Sequence, residues 1–77
     1  MTFEELKKAT EGIDLELANI SLGGPADHVE SLSCYQDGDE WVMAEVDDRQ
    51  HEYARRGTEE DIMRRMYAQI RIRTKVH

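Results

Sequence analysis

The sequence predicts an α+β fold for its 77 residues: a three- to four-stranded antiparallel sheet, run as a meander and flanked by an N-terminal helix and a C-terminal helix. Three observations predict it. Thr2-Phe3-Glu4-Glu5 has the form of a capping box ahead of an apolar stripe. An Asp37-Gly38 pair lies between two strand-like runs. Thr58 precedes three acids and a second apolar stripe at helical spacing.

The first helix begins at the capping box. Phe3, Leu6 and Ala9, with Thr10 and Ile13, recur at intervals of three or four and form one face, with Glu4, Glu5, Lys7, Lys8 and Glu11 on the other. Gly12 is its expected stop. Ile13, Leu15 and Leu17 then alternate with polar or small residues, which reads as a half-buried strand, although Leu17-Ala18-Asn19-Ile20 also suits a helical extension. Gly23-Gly24-Pro25-Ala26-Asp27 breaks regular structure. Strands are expected over Ser31–Gln36, Trp41–Val46 and His51–Arg55, joined by two polar turns of four residues. In the closing helix, the acids Glu59, Glu60 and Asp61 sit at the positive end of the helix dipole, and Ile62, Met63, Met66, Tyr67 and Ile70 form the apolar stripe. From Ile70 to Val76 the alternation with Arg71, Arg73 and Lys75 fits a strand as well as a fraying helix.

A chain of this length has room for a single domain spanning residues 1–77. The lone Cys34 excludes an internal disulfide, and with three scattered histidines it leaves too few ligands for structural zinc. The first residues do not resemble a signal peptide, and no stretch approaches a membrane span, so a cytoplasmic location without membrane contact is the expectation. The net charge of −7 argues against nucleic acid as a direct partner. Its distribution is uneven: residues 1–61 hold all 17 acids and five bases, a balance of −12, and residues 62–77 hold five bases and no acid, or +5. A concentrated negative field raises encounter rates with positive surfaces. A basic protein partner is therefore expected, with an intramolecular or homodimeric contact between the basic tail and the acidic rim of the sheet as an intermediate case.

Two- or four-residue turns fix the parity of strand pairing. Leu32, Cys34, Trp41 and Met43 would then share one sheet face with Glu45, Glu52 and Ala54, while Tyr35, Val42, Ala44, Val46, His51 and Tyr53 share the other. A three- or five-residue connection would flip one strand. Asp37, Asp39 and Glu40 at the first turn, Glu45 on a strand, and Asp47 and Asp48 at the second turn line the rim of the meander. Acids at turns solvate them and blunt sheet edges. Carboxylates around Trp41 and Tyr53 also form the kind of surface that grips Arg or Lys of another protein, which makes these eight residues the candidate partner-binding set.

No catalytic pattern emerges. Cys34 lacks an evident activating base and reads as a small buried hydrophobe. The Asp37-Gly38-Asp39 segment has none of the further ligands of a calcium loop, and Gly23-Gly24-Pro25 is not followed by the Lys-Ser/Thr pair of a phosphate-binding loop. Neither enzyme activity, nor a metal, nor a cofactor is expected.

The run Trp41-Val42-Met43-Ala44-Glu45-Val46-Asp47-Asp48-Arg49, followed by Gly57-Thr58-Glu59-Glu60-Asp61 and Met66-Tyr67, resembles small bacterial polymorphic-toxin immunity proteins over residues 38–70. The resemblance implies a cytoplasmic inhibitor that binds a cognate toxin domain and blocks its active site, setting acidic residues against a basic cleft. Two other classes fit the charge pattern: an anti-CRISPR-like inhibitor from a mobile element, whose carboxylates imitate phosphates, and a small structural or oligomerisation domain.

Overall fold

A computed structural model of the chain describes residues 1–26 and 28–74. Helix α1 spans Phe3–Ala9, and its capping box is complete: the Thr2 hydroxyl accepts from the Glu5 N–H, and the Glu5 carboxylate accepts from the Thr2 N–H. Strands β1 (Ile20–Leu22), β2 (Ser31–Asp37), β3 (Glu40–Val46) and β4 (Glu52–Gly57) form one sheet in that order, and helix α2 (Glu59–Arg73) closes the fold. The expected α+β arrangement with two flanking helices is present. The sheet is mixed, because β2, β3 and β4 pair antiparallel and β1 pairs parallel to β2.

The parallel strand corrects the reading of residues 13–17. Their alternation belongs to a run of turns, in which Asp14 accepts from the Leu17 N–H and Ile20 N–H donates to the Leu15 carbonyl. Ile13, Leu15 and Ala18 still pack on the core. Because β1 has only three residues, the return to the start of β2 has little length to retrace. The return over residues 23–30 starts at Gly23, whose φ of +103° suits glycine, and ends at Glu30, with φ +56°. Gly23 N–H to the Cys34 carbonyl and Leu32 N–H to the Asn19 carbonyl extend the parallel pairing by one bond at each end.

The β2–β3 turn is tighter than four residues. Asp37 pairs with Glu40, leaving Gly38-Asp39, and glycine at φ +64° in the first central position is the arrangement of a type II′ turn. The change from four residues to two preserves parity, so β2 and β3 carry their expected faces. The β3–β4 connection does not: Val46 pairs with Glu52, five residues intervene, and β4 is flipped. Tyr53 therefore joins Glu45 and Met43 on the first face, while Glu52 and Ala54 lie with Val46 and Ala44 on the second, the reverse of the expectation for β4. His51 lies outside the strand.

Both helices pack on the first face. Leu6 of α1 and Ile62, Met63, Met66 and Ile70 of α2 are buried with Ile20, Leu32 and Cys34. The second helix continues through Arg73, which resolves that part of the ambiguous tail as helix; Lys75 and Val76 lie outside the described residues, as does Asp27. The opposite sheet face carries a row of small side chains across the strands, Ser21, Ser33, Ala44 and Ala54, with Val42 buried between its register partners Tyr35 and Arg56.

A candidate partner-binding surface

Trp41 does not stand on the surface as an anchor. Its indole packs half-buried against the core and makes a tilted stack on Phe3, with ring centroids 5.0 Å apart and an interplanar angle of 35°. Phe3 is itself held by its N–H, which donates to the Glu59 carboxylate at 2.8 Å, so this aromatic pair ties α1 to the start of α2.

The acids separate to the two ends of the sheet, as consecutive meander turns require. At the β2–β3 end, the Arg56 guanidinium donates to Asp37 at 2.9 Å and approaches Glu40 at 3.7 Å. That contact, Asp37 first, raises the guanidinium pKa above its ordinary value. One base thus partly offsets two carboxylates, while Asp39 is exposed on the turn.

At the other end, Glu45, Asp47, Asp48 and Tyr53 border an open depression of about 320 Å³, joined there by Glu30 and Arg73. Four carboxylates against one guanidinium leave it at −3. Asp47 builds the site. Its carboxylate accepts from the N–H groups of His51 at 2.8 Å and Arg49 at 2.9 Å, and its carbonyl accepts from Gln50 and from Glu30. Those contacts hold the five-residue connection closed and draw Glu30 beside it. The His51 N–H is the main cause that keeps the Asp47 carboxyl below the usual carboxylate range, with the Arg49 N–H adding to it. Asp48 is exposed at the rim of the depression. Arg73 reaches Glu45 at 3.6 Å, and Tyr53 is 57% exposed.

The structure thus brings together four of the eight sequence-predicted residues, places three at the far end and one in the core. Glu30 and Arg73 were missed. Glu30 has no local signal, since it arrives through a backbone bond to Asp47. Arg73 had one: counting 63, 66, 70 and 73 along the helix keeps it in phase with the buried stripe, so its side chain had to meet the sheet.

The other basic residues of α2 are engaged within the helix. Arg64 and Arg65 both bond Asp61 at 3.0 Å, and Arg71 lies over the Tyr67 ring. Cys34 is fully buried in the core, and burial pushes its thiol up to about 12, so the nucleophilic thiolate is negligible near neutral pH. Among the described residues, no three His, Cys, Asp or Glu side chains converge to hold a metal ion, and no helix is long and apolar enough to cross a membrane. What the depression offers chemically is charge recognition: carboxylate acceptors beside an exposed aromatic ring. No family model, curated protein or solved structure matches the chain.

Proposed function

We propose that the chain is a non-catalytic inhibitor that binds a basic protein partner, acting in the cytoplasm as an immunity protein that neutralises a cognate toxin. The observation that carries this reading is the depression at the β3–β4 connection, where Glu30, Glu45, Asp47 and Asp48 gather beside Tyr53. Arginine or lysine side chains of the partner would bond the carboxylates, and Tyr53 would supply a flat apolar contact next to them. The acidic balance of residues 1–61 supports it further by accelerating encounter with a positive surface. Membrane and nucleic acid have no part in this reading.

The test uses Glu30→Gln with Asp48→Asn, which leaves Asp47 to hold the loop. Against a cognate toxin domain, the wild type should neutralise at equal molar ratio. The double variant should associate about tenfold more slowly at low salt, with a flatter salt dependence. Unchanged association kinetics would remove the depression from the mechanism. Binding instead to a nucleic-acid enzyme complex, with no protection against a toxin, would assign the chain to the phosphate-imitating class.

A further inference from the structure

The geometry points to a second copy of this chain as the partner of the free edge of β4, with the two strands running antiparallel about a two-fold axis at Ala54. This surface is distinct from the proposed toxin-binding site in all but Tyr53, and the inference goes beyond that reading.

Strand β4 is the last in the sheet order and, among the described residues, has no neighbour on its outer side. The Asp47 N–H donates to the His51 carbonyl, which continues the ladder in which Glu45 faces Tyr53. Backbone groups alternate in direction along an antiparallel strand, so Tyr53 and Arg55 turn theirs toward β3 and Glu52, Ala54 and Arg56 turn theirs outward. The outward set is unprotected by proline or by a bulge, and all three residues are exposed.

A two-fold axis perpendicular to the sheet keeps equivalent faces together, so only registers that pair residues of like parity are available. Placing Ala54 against Ala54 sets Glu52 opposite Arg56 of the second copy, twice, on one face, and Tyr53 opposite Arg55, twice, on the other. Every outward backbone group is satisfied, because Ala54 with Ala54 and each Glu52 with its Arg56 exchange two bonds, while Tyr53 and Arg55 keep theirs on β3. The charges match as well: the Glu52–Arg56 pairs are of opposite sign, and Tyr53, 57% exposed, meets an Arg55 that makes no salt bridge among the described residues. Neighbouring registers fail this test. A shift of two residues one way sets Arg55 against Arg55; the other way sets Glu52 against Ala54 and removes the ion pairs.

The helix beside this edge is also suited to it. Arg65, Ala68 and Gln69 face β4 across a groove, and Ile72, one turn on from Ala68, is 67% exposed. The same axis brings the two copies of this helix face toward each other, where Ile72 and Ala68 could be covered. The product is a continuous eight-stranded sheet with all four helices on one side.

The test is sedimentation of the full chain from micromolar to millimolar concentration, combined with cysteine crosslinking. The wild type should pass from monomer to dimer across that range. Glu52→Arg should raise the dissociation constant about tenfold or more, because it replaces two attractive pairs by repulsive ones. Ala54→Pro should abolish the dimer while leaving the β3–β4 ladder intact, since the N–H it removes points outward; an unchanged circular dichroism spectrum verifies that it folds. Ala54→Cys should form a disulfide readily, because residues facing each other in a bonded pair have Cα atoms about 5.5 Å apart. Glu52→Cys, which faces Arg56, should not, and the buried Cys34 stays silent in both. A chain that stays monomeric throughout, or equal crosslinking of the two cysteine variants, would overturn the proposal. So would a monomer whose Ala54→Pro variant loses binding to a toxin domain, which would assign the edge to a foreign strand.

Discussion

Replacing Trp41 by alanine should weaken the fold rather than a binding surface. The indole bridges the sheet and Phe3, and Phe3 in turn anchors α1 to Glu59. Truncating a buried Trp to Ala costs about 3–5 kcal/mol, and the half-buried position of Trp41 places it near 3. A domain of this length has total stability on the order of 4–11 kcal/mol. The variant should therefore lose about a quarter or more of the whole. With a urea dependence of about 1 kcal/mol per molar at this size, the unfolding midpoint should fall by about 3 M. Trp41 is the sole tryptophan and its fluorescence disappears with it, so the assay is far-ultraviolet circular dichroism against urea. Trp41→Phe, which keeps a ring against Phe3, should recover most of the loss. A midpoint lowered by less than about 0.5 M in Trp41→Ala would refute the packing assigned to this side chain. A folded Trp41→Ala variant with impaired partner association would refute the separation of core from binding surface.

Thr58→Ala removes the side chain that accepts the Asp61 N–H at the start of α2. It should cost about 1 kcal/mol and lower the thermal midpoint by about 4–8 °C, with Thr58→Ser close to wild type. Asp47 predicts an acid dependence. Its folded carboxyl lies below the ordinary range, so its stabilisation is present above the unfolded value and is lost as pH falls through the lower folded one. The difference in urea midpoint between wild type and Asp47→Asn should accordingly be larger at neutral pH than below about pH 4, and an undiminished difference in acid would contradict the loop contacts described.

The helices and the hairpin were legible because their signals are local. Thr2 and Glu5 specify one start, Thr58 another, and Asp37-Gly38 marks the turn where glycine alone is comfortable at positive φ. What the sequence obscured depends on distant pairing. Ile20-Ser21-Leu22 is too short to show a period, and it becomes a strand only because β2 offers it an edge. The parity of β4 turned on one extra residue, accommodated by Gln50 at φ +65° and by the inward-facing Asp47 carboxylate. The same loop explains the candidate site. Acids close in sequence, such as Asp37 and Glu45, separated along the strand, while Glu30 and Arg73 arrived from elements far away in the chain.

The contact between α1 and the rest of the fold also sets an order of assembly. The meander is built from neighbours in sequence and can pair once Gly57 has been synthesised. Its apolar face stays open until Ile62, Met63, Met66 and Ile70 follow, and these are the residues that enclose Leu6. Phe3 likewise waits for Glu59. The first helix made on the ribosome is therefore among the last to find its place, and a nascent chain halted before α2 presents a bare hydrophobic sheet to the cell's quality-control machinery.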